Sequence, residues 1–110
     1  MTPPLFETDE HAELRRAARR WAKTEIAPFA HAWEEAGEFP RELYARAAAS
    51  GAGGVGYPEA YGGSGGDLSH VLAVAEELIL EGKSVGTAVG LGSHRIALPP
   101  ILAVGTEEQK

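Results

Sequence analysis

Between Thr8 and Glu25 the apolar positions Leu14, Ala17, Ala18 and Trp21 recur at three- and four-residue spacing. That period is helical. Thr8 or Asp9 supplies an N-cap, and Asp9, Glu10 and Glu13 suit the positive end of a helix dipole. The intervening Arg15, Arg16, Arg19, Arg20 and Lys23 read as a solvated face, with Glu13 placed to support Arg16. Pro28 then interrupts the helix, because it has no N–H for the preceding turn. A second segment, Phe29 to Ala36, is expected to bury Phe29 and Trp33 and to end at Gly37. Pro40 opens a third, through Ser50, with Leu43, Tyr44 and Ala47 inward.

The pattern changes beyond residue 50, where nearly all the glycine lies. Asp67 caps a helix from Leu68 to about Leu80, with Leu68, Val71, Leu72, Ala75 and Leu78 as its inward stripe. Another helix starts at Lys83-Ser84, and Gly82, Gly86 and Gly90 fall on it at four-residue spacing. Each internal glycine costs about 1 kcal/mol against alanine, so close contact must compensate. Helix packing and a ligand groove both meet that need. Pro100 to Val104 forms a last short helix ended by Gly105, and Thr106-Glu107-Glu108-Gln109 is a capping box, a helix-start signal just before the final residue. The chain reads as an all-α, up-and-down bundle of about five to six helices with a long glycine-rich loop, and as one piece of a longer polypeptide.

Within the loop, Gly51-Ala52-Gly53-Gly54-Val55-Gly56 matches G-x-G-x-x-G, the dinucleotide fingerprint. Its flanks are wrong: it follows a helix instead of a strand, and it runs into Tyr57-Pro58 instead of a helix N-terminus. The glycines are read as a tight connection, anchored by burial of the Tyr57 and Tyr61 rings.

Composition narrows the function classes. With 110 residues, 44% of them hydrophobic and 24% charged, the chain is one globular domain. A net charge of -6 argues against nucleic acid, and the lack of cysteine removes disulfides and thiol chemistry. The start shows no secretory or transit peptide, so a cytoplasmic location is the default. Residues 84–105 are apolar enough to suggest a membrane span, but His94 and Arg95 at their centre and Pro99-Pro100 argue against one. His11, His31, His70 and His94 stand singly, which leaves metal binding without its usual spacing. No serine has a nucleophile-elbow context, and the adjacent Glu76 and Glu77 cannot face each other across a substrate. No complete catalytic machinery is visible.

Five segments in order carry a family resemblance: Glu25-Ile26-Ala27-Pro28, Gly37-Glu38-Phe39-Pro40, Gly56-Tyr57-Pro58-Glu59-Ala60-Tyr61-Gly62-Gly63-Ser64-Gly65-Gly66-Asp67, Glu76-Glu77-Leu78, and Leu98-Pro99-Pro100-Ile101 through Gly105-Thr106-Glu107-Glu108-Gln109-Lys110. Over essentially its whole length the chain resembles the N-terminal helical domain of the acyl-CoA dehydrogenases. The resemblance implies an absent β-rich middle domain and C-terminal helical domain, with FAD held between those two. It implies α,β-desaturation of an acyl-CoA thioester: a glutamate outside this chain takes the α-proton, the β-hydride goes to the flavin, and an electron-transfer flavoprotein receives the electrons. It also implies a homo-oligomer.

No catalytic or flavin-binding position maps onto these residues. Counting back from the Gly105 turn, the resemblance places Ala88, Val89, Gly92, Ser93 and Ile96 along the acyl-chain wall, and the small Ala88, Gly90 and Gly92 imply room for a longer or bulkier acyl group. It also implies a docking patch for the electron-transfer flavoprotein at the end of the glycine loop, where Ser64, Gly65 and Gly66 stand in place of apolar residues. Two alternatives share the evidence: an acyl-CoA oxidase or flavin monooxygenase of the same fold, and a non-catalytic helical interaction module or partner subunit. An acceptor assay on the complete protein separates the first. Cooperative folding of the chain without exposed apolar surface would favour the second.

Overall fold

The computed structural model describes residues 6–110. The absence of a leader, read partly from residues 1–5, falls partly outside the described residues. Six α-helices follow in order: α1 (Asp9–Glu25), α2 (Ala30–Ala36), α3 (Glu42–Ala49), α4 (Leu68–Gly82), α5 (Val85–Leu91) and α6 (Leu98–Val104). Single 3₁₀ turns lie at Ala52–Gly54, Glu59–Tyr61 and Ser93–Ile96, and the described residues contain no strand beyond one isolated bridge between Val55 and Gly65. No described helix is long and apolar enough to cross a membrane.

The two longest helices form the centre. His11 stacks on His70, Arg19 pairs with Glu77, and Ile26 meets Gly82, so α1 and α4 run side by side in the same direction. This pair is parallel, not up-and-down, because residues 26–67 are long enough to return the chain to its starting end. Gly82 lets the two approach: a Cβ there would lie 3.0 Å from the fully buried Ile26. Around this contact Ala18, Ala22, Ala30, Leu43, Ala47, Val55, Val74, Leu78 and Leu91 close the core.

Several expected core positions lie elsewhere. Ala17, Phe29 and Tyr44 are exposed, Trp33 is half-buried, and α1 turns His11, Ala18 and Ala22 inward. Phe29 stays near the surface because it stacks on Trp33, which leads through Phe39 to Tyr44 in a row of rings along the edge. On α4 the buried face is Ala73, Val74, Glu77, Leu78 and Gly82, while Leu68 is 71% and Leu72 50% exposed. Both sides of α4 are apolar, and α1 covers the side with the smaller residues. The basic residues of α1 divide likewise. Arg16, Arg20 and Lys23 are exposed, but Arg15 and Arg19 turn toward α4 and the carboxylates of Glu76 and Glu77.

The glycine loop is held by its own backbone. The N–H groups of Gly54, Gly56, Tyr57, Ser64 and Gly65 donate to Gly51, Gly65, Gly54, Gly54 and Tyr57 carbonyls respectively. None of these groups is left to converge on a phosphate, which agrees with reading the G-x-G-x-x-G match as a turn. Gly63 packs so closely that a Cβ would sit 2.2 Å from the Tyr57 carbonyl oxygen. Tyr57 is partly buried, whereas Tyr61 is 42% exposed and holds the loop through its hydroxyl, which donates to Glu107 at 2.7 Å.

Candidate functional site

The site is organised by α5 and the turn that follows it. Lys83 ends α4 in a left-handed conformation (φ 59°), which swings the chain so that Ser84 can cap α5. The buried Ser84 hydroxyl accepts from the Thr87 N–H at 3.1 Å and donates to Glu34 on α2. At Gly90 a Cβ would lie 2.6 Å from the Phe39 ring, and the Tyr44 hydroxyl donates to the Gly90 carbonyl at 3.2 Å. The glycine stripe is therefore used for packing inside the chain: Gly82 under Ile26, Gly86 beside Glu34 and Gly90 under Phe39. Gly82 is the last residue of α4 and not part of α5.

With one side of α5 packed down, its other side borders an apolar cavity of about 230 Å³ between α4 and α5. Ala88, Val89 and Gly92 line it, facing Val71, Val74, Ala75, Leu78 and Ile79 of α4. Trp21, Ala47 and Ala52 lie against its inner side. Of the five positions placed by counting back from the Gly105 turn, the structure brings these three together. Ser93 is exposed, its hydroxyl donating to the Val89 carbonyl, and Ile96 is 82% exposed outside the cavity. Val89, Ile96, Leu68, Leu72, Leu80, Val85 and Val104 are all at least half exposed.

The cavity's polar neighbours are spoken for. His94 Nε2 lies 3.0 Å from the Gly53 carbonyl, and the Arg95 guanidinium sits 5.1 Å from the Tyr57 ring centroid. These contacts fasten the Ser93–Ile96 turn to the glycine loop. The Tyr57 hydroxyl is buried without a hydrogen-bond partner among the described residues.

A second cavity, about 380 Å³, opens between α1 and the loop. Its loop side includes Gly51, Val55, Ser64, Gly65 and Gly66, and its floor is Leu14, Ala18, Trp21, Val74 and Leu78, with Glu10 and Glu13 at the rim. Most of the apolar surface comes from the helices.

Single histidines in sequence become a pair in space. The rings of His11 and His70 stack at 4.0 Å with planes 18° apart, and Asp67 lies beside them. Each histidine occupies the third position of its helix and accepts the cap residue's backbone N–H on Nδ1, from Thr8 and Asp67 respectively. The proton of each ring is therefore on Nε2, where His11 donates to Ser69 and His70 lies 3.1 Å from a Glu10 carboxylate oxygen. An imidazole ligates in its ring plane, and two nearly parallel planes share no such point, so the group acts as a clasp on two helix starts. Its sequence signal is the repeated spacing Thr8-x-x-His11 and Asp67-x-x-His70. The Ser69 hydroxyl and backbone N–H, both donating to Oδ1, hold the Asp67 carboxyl at a pKa of about 2.

Glu77, 5% exposed, receives Arg19 through Nε at 3.0 Å and Nη2 at 2.9 Å, and Arg15 at 3.4 Å. These bonds, Arg19's foremost, keep its carboxyl below the ordinary range. Arg15 is also clasped by Glu7 at 2.6 Å and by Glu76 at 3.1 Å. The carboxylates of α4 are structural ties to α1.

This architecture has known counterparts. Residues 8–110 match the model of the acyl-CoA dehydrogenase N-terminal domain. The chain belongs to the acyl-CoA dehydrogenase family. Over 94% of its length it is 40% identical to the probable acyl-CoA dehydrogenase YngJ of Bacillus subtilis, of which it covers 27%. Over 96% of its length it is 33% identical to the caffeyl-CoA reductase-Etf complex subunit CarC of Acetobacterium woodii, covering 28% of that protein. The solved structure of a probable acyl-CoA dehydrogenase from Mycobacterium abscessus superposes with a TM-score of 0.86 at 42% identity, over 92% of this chain and 27% of that one. The chain thus spans about a quarter of the length of these family members and corresponds to their N-terminal helical domain.

Proposed function

We propose that this chain is the acyl-pocket side of an FAD-dependent acyl-CoA dehydrogenase whose remaining domains complete the enzyme, and that the chain alone is inactive. The observation that carries this reading is the apolar cavity bordered by Ala88, Val89 and Gly92, in a chain that leaves several large apolar side chains exposed. A hydrocarbon tail fits such a space, since every methylene it buries contributes about 0.8 kcal/mol. Val89, Ser93 and Ile96 stand on the open side, where tail and neighbouring domain would meet. Ala88 and Gly92, small and at the rim, leave the entrance wide. The chain's task is to hold the tail, exclude water and fix the thioester's position. FAD, when bound, supplies the acceptor for the β-hydride. The loop does not offer the flavin's phosphates a converging set of donors, because the N–H groups of Gly54, Gly56, Gly62, Gly63 and Gly65 are used within the loop. The flavin and the catalytic base therefore belong to the domains beyond this chain.

For a partner, the cavity between α1 and the glycine loop suits an apolar anchor from an electron-transfer flavoprotein, in keeping with the relative that works in an Etf complex. The whole protein is read as a cytoplasmic homo-oligomer.

The test is to purify the full-length protein and record its visible spectrum. Reduction of an artificial acceptor by straight-chain acyl-CoAs, with little transfer to oxygen, is the expected result. A colourless protein inert toward acyl-CoA would overturn the proposal, and rapid peroxide formation would make it an oxidase.

A further inference from the structure

Two cavities share a wall made by Trp21, Ala52, Val74 and Leu78, of which Trp21 is the largest. Trp21 lines the space between α4 and α5 and also the space between α1 and the glycine loop, with Val74 and Leu78 beside it in both. The first cavity opens at Val89, which is 65% exposed on α5, and extends inward to α1, where the indole stands. An indole is large, flat and rotates about only two bonds, so it makes a firm partition. Trp21 is packed against the buried core, which fixes its position.

We infer that Trp21 is the end wall of the acyl-tail cavity and sets the longest tail the protein accepts. This inference rests on the acyl-CoA reading above. The cavity of about 230 Å³ is the space open to the tail before the indole is reached. Beyond it lies the larger space against the loop. A smaller side chain at residue 21 joins the two.

The experiment compares kcat/KM for straight-chain acyl-CoAs of increasing length in the full-length wild type, Trp21→Phe and Trp21→Ala. The expected result is a profile shifted to longer tails, by about fourfold per additional methylene in the ratio of long to short substrate, and further in W21A than in W21F. Trp21→Phe keeps an aromatic ring in the core and guards against a variant that fails to fold. Packing damage alone lowers every chain length together. Unchanged profiles, or a uniform drop in both variants, overturn the role of Trp21 while leaving the acyl-CoA reading intact. Failure of the wild type to turn over any acyl-CoA overturns both.

Discussion

Replacing Glu77 by glutamine changes one charge at the tie between the two central helices. Its side chain is 7% exposed and accepts two bonds from Arg19 and one from Arg15. Glutamine keeps the shape and one acceptor oxygen, but its amide turns N–H groups toward a guanidinium that has only N–H groups to offer. A hydrogen bond to a charged group contributes about 1.5–3 kcal/mol. Two features reduce the loss. The Arg19 side chain is 43% exposed and can rehydrate, and Arg15 retains Glu7 and Glu76. The expected cost is about 2 kcal/mol, below the roughly 3–5 kcal/mol of breaking a fully buried pair. In urea, with a slope of about 1.5 kcal/mol per molar, the unfolding midpoint falls by about 1.3 M by far-ultraviolet circular dichroism. The same exchange alters the acid limb. Glu77's carboxyl titrates below its ordinary 4.5 in the folded chain, so its contribution is complete above that value and is lost as pH falls through the folded one. E77Q lacks this component and loses stability less steeply below that point. A midpoint within about 0.3 M of wild type and an unchanged acid limb would refute the reasoning.

Other outcomes follow from the same geometry. Gly63→Ala drives a methyl into the Tyr57 carbonyl and should destabilise by about 3 kcal/mol, whereas Gly37→Ala, at φ 74° with open space around it, should cost about 1 kcal/mol; paired urea titrations test the difference. Ser84→Ala removes the cap of α5 and its link to Glu34, for a loss of about 1–2 kcal/mol by the same assay. The Asp67 carboxyl should titrate near 2 by carbon-detected NMR, and its contribution, whole above the ordinary 3.8, should vanish as pH falls through that midpoint. The isolated chain should bind an apolar-surface dye, and Leu72→Ser with Val89→Ser should reduce that fluorescence without lowering the unfolding midpoint.

Helix positions were legible because their punctuation is local. Thr8, Asp67 and Ser84 at starts and Gly37 and Gly105 at ends act within one turn of their own backbone. The direction each helix faces was less legible. Leu68 and Leu72 outrank Ala73 and Gly82 in hydrophobicity, yet parallel packing of α1 on α4 selects the small residues, and that choice depends on a partner far away in sequence. Arg15 and Arg19 show the same limit: a row of cations looks solvated until the carboxylates of another helix are placed against it. Register from the Gly105 turn puts Ala88, Val89 and Gly92 on the candidate cavity but misplaces Ser93 and Ile96 relative to it. Its inner side, Trp21 and Ala47, comes from α1 and α3, so no local pattern could have included it.

The shared direction of α1 and α4 also governs how the molecule can be made. The first helix leaves the ribosome early, but Glu77 and Gly82, against which it packs, emerge only after the whole loop has been synthesised. Until then Ala18, Ala22 and Ile26 lack the part of their cover that α4 supplies, and closing so long a span must precede much of the energetic return. A nascent chain halted before Gly82 should therefore stay unfolded, and chaperone engagement during translation should peak between the release of α1 and that of α4.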